Sequence, residues 1–368
     1  MTTSFPLLRL PYLVLMPVLE QMELIERISL SILSKRVRIF LKLLKMKCKQ
    51  INLKHEYGAI RMEVLFDNNG KLRLEIFRSG YVEFKYRQDI LFCNTSGVPP
   101  MDYAVSIMDV MHCKSIHQLR VAEIPKRDIL PLLVNLPKIN EVVVEETCNS
   151  SYPDSLLQKM LKIVLPVSSA VTIPYHAVKP KYLRKILKGN FDSVTVGNYG
   201  VGNMANYDIR FSLKSLRMTN AKALDLYKFI LNDKDLNRFF KLWMDRKCNP
   251  RLEYMKARKY GNGNKDLLLQ GLNVFSVPTE TKREFRVLGN IQQLRSDEKI
   301  TAEFDITRAD GRQATIRFGE SDEINFIEFY VWPESVNDTT NREPNQSSFI
   351  RMFSRVSTFY NSWVERFK

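Results

Sequence analysis

No two cysteines in this chain stand at the C-x-x-C spacing of a zinc ribbon or a thioredoxin-type site. The five that occur, Cys48, Cys93, Cys113, Cys148 and Cys248, are scattered. An odd, sparse set suits a reducing compartment better than a disulfide framework. Glycine (14) and proline (16) are too scarce among 368 residues for a collagen-like or low-complexity protein. Long apolar runs are missing too. The stretch from Phe5 to Leu19 is interrupted by Pro6, Arg9, Pro11 and Pro17, and its charge-free part, Leu10 to Leu19, is half of a membrane span. No small-residue cleavage site follows it. The expectation is a soluble chain of the cytoplasm and/or nucleus with no membrane partner. The Asn-x-Ser/Thr matches at Asn94, Asn149, Asn337 and Asn345 are then chance.

Chemistry-bearing motifs are equally scarce. Of four histidines, His55, His112, His117 and His176, only His112-Cys113 with His117 approaches metal-ligand spacing. No second pair follows at finger distance. There is no GxSxG, no P-loop and no HExxH. Gly261-Asn-Gly-Asn264 reads as a turn, because the strand, glycine loop and lysine-bearing helix of a phosphate cradle are lacking. Glu145 and Glu146 are adjacent acids, but neighbours on a strand face opposite ways. Nothing assembles a nucleophile, a base and an orienting group. No catalytic residue, metal or cofactor is expected.

What is present is positive charge and ordinary globular composition. Lys and Arg number 56 against 40 Asp and Glu, a formal +16, with 45% hydrophobic residues. At roughly 150 residues per domain the length fits two to three domains or one elongated repeat array. The charge concentrates at Lys42 to Lys49, Lys179 to Lys188 and Lys241 to Lys259, the last interleaved with Trp243, Tyr254 and Tyr260. A basic face with aromatics can bind nucleic acid, or an acidic or phosphorylated protein segment. The expectation is that these aromatics point inward, the charges stay open to either partner, and a basic repeat-like nucleic-acid-binding protein is the alternative to a protein receptor.

The first fifty residues form a distinct block. Leu10, Leu13, Val14, Val18, Leu19, Met22, Ile28 and Leu33 recur at helical spacing. Pro11 and Pro17 suit first-turn positions, where a missing N–H costs nothing. The pattern predicts an initial turn, a helix from Val18 to Met22, a second from about Leu24 to Ser34, and a basic third from about Lys35 to Lys49. Three such helices bury too little to be stable alone. Leu10-Pro11, the two apolar pairs that follow, and Ser34-Lys35-x-x-Arg38 resemble an F-box of the nematode-type group, over about Leu8 to Leu41. Val37 stands where that pattern often has an aromatic. The resemblance implies docking on the Skp-type adaptor of an SCF ubiquitin ligase, and through it on a cullin. The residues it places on the adaptor are Leu10, Pro11, Leu13, Val14, Val18, Leu19, Met22, Ile28, Leu33 and Lys35.

Next comes a β-meander. Arg61 to Phe66 and Lys71 to Phe77 alternate around Asp67-Asn-Asn-Gly70, a strong hairpin signal. Ser79-Gly80 turns into a third strand, Tyr81 to Tyr86. Met62, Val64, Leu72, Leu74 and Ile76 are the candidate inward positions. Pro99-Pro100 breaks the chain, and Tyr103 to Met111 reads as a helix.

A repeat follows. Apolar pairs two residues apart recur at Leu119/Val121, Val142/Val144, Val171/Ile173, Val194/Val196, Leu216/Met218 and Met255/Ala257, stepping by 23, 29, 23, 22 and 39 residues. Apart from Ser168, the residue three before each pair is also apolar. Helical patterns at Ile129 to Leu136, Leu156 to Leu165 and Tyr182 to Leu187 lie between. This is the mark of leucine-rich-repeat-like strand and helix units that stack to bury their apolar faces. Asp233 can cap a helix carrying Leu236, Phe239, Phe240 and Trp243. With Leu236-Asn237, Trp243 and Asn249-Pro-Arg-Leu-Glu253, the stretch from about Leu187 to Leu269 is similar to the F-box-associated domain (type 2), reaching more loosely to Trp332.

Ala302 to Thr307 and Ala314 to Phe318 flank an Asp-Gly turn, and Ile324 to Trp332 adds a strand. This end is expected to cap the stack. Glu334 to Ser347 reads as a linker, and Phe349 to Phe367 as an amphipathic helix that packs on its own domain. The expected fold is α/β (α+β overall), divided as helical block 1–50, meander 51–100, repeat-like region 101–270, β cap 271–333, and linker with helix 334–368. The expected function is a non-catalytic substrate receptor: F-box to adaptor, downstream domain to an unknown protein target.

Overall fold

The computed structural model describes residues 10–67, 70–77, 81–94, 100–124, 129–145, 155–197, 211–227, 229, 231–259, 264–279, 283–294, 296–321 and 325–333. The expected linker and terminal helix, residues 261–263 of the glycine-asparagine turn, and Tyr260 lie outside them. Two compact units follow one another, Met1–Ser169 and Ala170–Lys368.

The first unit opens with α1 (Tyr12–Gln21), α2 (Leu24–Leu33) and α3 (Lys35–Leu43). Pro17 lies inside α1 rather than at the start of a helix. Its missing N–H falls in the second turn, where it removes one helical bond without ending so short a helix. Helix α2 begins with a reciprocal capping box between Glu23 and Glu26. Helix α3 starts on Ser34, whose hydroxyl accepts the Val37 N–H, and stops at Leu43 instead of running to Lys49. Lys45 takes a positive φ of 48°, which no α-helix continues through.

Strands β1 (Gln50–Glu56), β2 (Ala59–Leu65), β3 (Lys71–Ile76), β4 (Tyr81–Tyr86) and β5 (Asp89–Asn94) form an antiparallel meander. Met62, Val64, Leu72, Leu74 and Ile76 are all buried on one face. Strand β1 then pairs in parallel with β6 (Ser115–Val121), and β6 with β7 (Lys138–Val144). Helix α4 (Pro100–Val110) precedes β6, and α5 (Ser155–Val164) follows β7. Between β6 and β7 the expected helix shrinks to a single 3-10 turn, Leu130–Leu133. Pro131 begins it and Pro137 follows closely, which leaves no room for an α-helix.

The second unit opens within β8 (Ser168–Pro174). Strands β8, β9 (Ser193–Gly197), β10 (Ala223–Tyr227) and β11 (Tyr254–Lys259) run parallel in that order. Helices α6 (Pro180–Leu187), α7 (Leu213–Met218), α8 (Asp233–Met244) and α9 (Lys265–Leu269) occupy the connections and the stretch after β11. One expected strand is corrected. Leu216 and Met218 belong to helix α7, capped by the Ser212 hydroxyl; the strand is Ala223–Tyr227, with Leu224 and Leu226 as its inward pair. Leu224 aligns with Val194 and Met255, and Leu226 with Val196 and Ala257. The uneven steps of 22 and 39 thereby become 30 and 31.

After α9 come β12 (Phe275–Val277), a small hairpin of β13 (Arg286–Val287) and β14 (Asn290–Ile291), then β15 (Lys299–Thr307), β16 (Gln313–Glu320) and β17 (Asn325–Val331). Strand β17 pairs antiparallel with β11 and ends the parallel run; β16, β15 and β12 continue outward. No helix among the described residues is long and apolar enough to cross a membrane.

Candidate functional site

The helical block has two sides. Its inner side is a core of Leu15, Leu19, Val37 and Leu41 with Val110 of α4, against which Leu10, Met16, Met22, Leu30, Phe40, Leu44 and Met46 pack. Ile25 and Ile28 are buried beside it. Polar ties at the helix ends set the angles. Arg27 donates to the carbonyls of Met22 and Glu20 at 2.7 Å each, satisfying the end of α1. Arg38 donates to Ser31 O at 3.0 Å, clamping α3 to the last turn of α2. Ser34 caps α3. The Ser-Lys-x-x-Arg signature is therefore a hinge lock between α2 and α3, made of one cap and one clamp.

The outer side is apolar and open to solvent. Leu13 is 82% exposed and Leu33 69%; Tyr12, Val14, Ile39 and Leu43 are also exposed. Of the ten residues expected on the adaptor, Pro11, Leu13, Val14, Leu33 and Lys35 stand on the surface, and Leu10, Val18 and Met22 are half-buried at its margin. Leu19 and Ile28 lie wholly inside the core. Tyr12, Ile39 and Leu43 belong to the exposed set and were not singled out from the sequence. Both faces of α3 are apolar, so periodicity could not say which face meets water. Six large apolar residues of α1–α3 are thus open to solvent.

In the second unit the distinctive residues are structural. Asn237 is buried and donates from Nδ2 to Leu268 O at 2.7 Å and Gln270 O at 2.9 Å, tying α8 to the end of α9. Trp243 is fully buried, edge-on to Phe329 at 5.0 Å, with the Arg308 guanidinium over its ring at 5.2 Å. Asn249 donates to Ala221 O at 3.0 Å and holds a φ of 27°. The Glu253 N–H donates to Lys222 O, and Glu253 O accepts the Val331 N–H, joining β10, β11 and β17 at their ends. Helix α8 is capped by the Asn232 side chain rather than by Asp233, whose carboxylate accepts the Asn264 N–H.

One face of this sheet carries buried ions. Lys256 Nζ sits 2.8 Å from Glu298 and 2.9 Å from Glu328. Arg317 bridges Glu303 at 2.8 Å and Glu328 at 3.2 Å, and Arg258 meets Asp225 at 2.8 Å. The hydroxyls of Tyr254 and Tyr330 donate to Glu328 at 3.3 and 3.2 Å. Burial, reinforced by the Glu328 carboxylate, pushes both phenols well above their ordinary range. Each carboxylate has a cation partner, so none stands free as a general base. A shallow cleft of about 320 Å³ is lined by Asp192, Lys222, Glu253, Leu288 and Gly289, where Asp192 and Lys222 pair with each other at 3.0 Å.

The aromatics within the basic segment, Trp243 and Tyr254, are buried and offer no stacking platform. The return helices carry exposed positive charge: Lys181, Arg184 and Lys185 of α6, Lys214 and Arg217 of α7, and Lys234, Arg238 and Lys241 of α8. No grouping of three or more His, Cys, Asp or Glu that could hold a metal ion occurs among the described residues.

Comparison with known families matches two segments of the chain. Residues 7–49 match the F-box domain, and residues 182–257 match the F-box associated domain. The chain therefore carries an F-box followed by an F-box-associated domain of the second type, the arrangement of nematode-type F-box proteins. No curated protein and no solved structure matches it. The F-box match covers α1, α2 and α3; the second match runs from α6 to β11.

Proposed function

We propose that this protein is the substrate receptor of an SCF-type ubiquitin ligase, docking on a Skp-type adaptor through α1–α3 and, through that adaptor, on a cullin. The observation that carries the reading is the exposed apolar side of the helical block, with Leu13 and Leu33 its most exposed large residues, in a domain type that generally binds such adaptors. In this reading Pro11, Leu13, Val14, Leu33 and Lys35 touch the adaptor, Leu10, Val18 and Met22 form the margin, and Leu19 and Ile28 hold the helices that present them. Residues 1–50 are the docking module. Region 101–270 carries leucine-rich-repeat-like strand and helix units and region 271–333 a β cap, and these recruit the target. The contribution to catalysis is proximity: a bound target raises the local concentration of its lysines at the ubiquitin-charged enzyme without bond chemistry here.

Family signature residues of the second unit hold strands and helices together, so the target surface must use other residues. The basic outer sides of α6, α7 and α8 suit an acidic target segment. The test is copurification from a eukaryotic lysate. Stoichiometric recovery of a Skp-type adaptor with its cullin supports the reading. Recovery of the folded chain without adaptor refutes it.

A further inference from the structure

Two thiols meet where the helical block joins the rest of the first unit. Cys48 lies in the connection from α3 to β1, and Cys113 in the turn from α4 to β6. They are 65 positions apart in sequence, yet their Sγ atoms stand 3.6 Å from each other. Both are half-buried and so within reach of small solutes. The approach is held from both sides. His112 Nε2 contacts Lys42 O at 2.9 Å, and Lys42 Nζ pairs with Asp109 at 2.6 Å. The Cys113 N–H donates to Met108 O at 2.8 Å, and Val110 packs in the same core as Leu41.

We propose that Cys48 and Cys113 form a redox modification site, converted by a peroxide to a reversible disulfide that staples the end of the helical block to α4. The thiolate of Cys113 attacks one peroxide oxygen, and the O–O bond breaks. This leaves a sulfenic acid on Cys113, and the departing hydroxide takes a proton to become water. The Cys48 sulfur then attacks the Cys113 sulfur, expelling hydroxide, which takes the Cys48 proton to become a second water. Two thiols lose two electrons in all, and one peroxide gains them.

The assignment of roles follows the hydrogen bond. The Cys48 thiol donates to the Cys113 sulfur, which holds Cys113 down at about 7 against an opposing effect of burial, and pushes Cys48 up. Cys113 is therefore the more readily ionised of the two, and the thiolate is the attacking form. Cys248 is the contrast within the same chain: it is buried against Phe239 O, and burial pushes its thiol up to about 11. A cross-link between half-exposed thiols in a reducing compartment is a transient, sensing one rather than a structural one. Forming the bond needs the sulfurs to close from 3.6 Å to about 2.0 Å, a movement open to two connecting segments.

The test uses the full-length protein, fully reduced, freed of reductant, exposed to hydrogen peroxide, and then quenched with N-ethylmaleimide in denaturant, which opens every free thiol to the reagent. Peptide mass spectrometry should find a Cys48–Cys113 cross-linked pair, lost on addition of dithiothreitol, with Cys248 still maleimide-labelled. In C48S, Cys113 should be trapped by dimedone as a sulfenic acid; in C113S, Cys48 should stay alkylatable at the same dose. Circular dichroism confirms that each variant is folded, and the wild-type result stands without them. Maleimide on both cysteines after peroxide would overturn the proposal. So would pairing of either one with a different cysteine or a second molecule.

Discussion

Replacing Lys256 by Met removes one cation from the most buried ionic cluster in the second unit. The lysine is 3% exposed and faces two carboxylates, Glu298 and Glu328, that are essentially without solvent contact. Breaking a buried pair by deleting one partner typically costs 3–5 kcal/mol, because the partner charge is left in a low-dielectric site. Glu328 retains Arg317 at 3.2 Å and two phenol hydroxyls; Glu298 retains Arg258 at 3.9 Å. Those remaining partners place the cost near the lower end, about 3 kcal/mol. For a unit of this size that is about 6–12 °C in melting temperature. The methionine fills similar volume and keeps contact with the Phe326 ring, which lies 4.4 Å from Nζ, so little of the loss is cavity. Denaturant unfolding followed by tryptophan fluorescence measures it. The companion variant, Lys256→Met with Glu298→Gln, should recover at least 1 kcal/mol, because it removes one stranded charge. A loss below 1 kcal/mol in the single variant, or no recovery in the double, would show that the cluster is not held by its charges.

Asn237→Ala should destabilise the second unit by about 1–3 kcal/mol, because the buried Leu268 O and the part-buried Gln270 O lose their donor; an unchanged denaturation midpoint would remove it as the tie between α8 and α9. Alkaline pH should act through Tyr254 and Tyr330, whose ionisation is raised by burial first and by Glu328 next. Their folded values exceed the unfolded one, so stability is intact below about pH 10 and falls as pH rises beyond it, by up to about 2.7 kcal/mol per pH unit for two groups. Absorbance at 295 nm should show two of the fifteen tyrosines titrating only with unfolding; a single smooth titration near pH 10 would contradict this.

Much of the architecture was legible because burial imposes periodicity. The meander core of Met62, Val64, Leu72, Leu74 and Ile76 was readable from alternation alone, and so were the inward pairs of β6, β7, β8, β9 and β11. The strand at Ala223–Tyr227 was missed for a physical reason. Its middle residue, Asp225, faces away from Leu224 and Leu226 and is a buried ion paired with Arg258, while Leu216 and Met218 in α7 happen to satisfy the same spacing of two. Strand β1 was missed because buried His55 breaks its apolar alternation after Ile51 and Leu53. The docking residues were legible as a set but not by depth. Leu13 and Leu19 both belong to the helical apolar pattern, yet one is solvent-facing and the other core, and only packing against α3 and α4 separates them. The ion cluster under Tyr254 and Tyr330 left no local signal, since its members come from β10, β11, β15, β16 and β17 and from the segment before β15.

In the proposed function the adaptor docks on the exposed side of α1–α3. Leu13 and Leu33 touch little of their own chain, so Leu13→Asp with Leu33→Asp should leave folding unchanged within about 0.5 kcal/mol. Truncation of an anchor in an interface costs about 2 kcal/mol or more, and a charge in a desolvated site costs at least that. Calorimetric titration of the full-length chain with a purified Skp-type adaptor should give a tight one-to-one complex for the wild type, and at least ~100-fold weaker binding for the folded double variant. Equal affinity of the two proteins would rule out docking through Leu13 and Leu33.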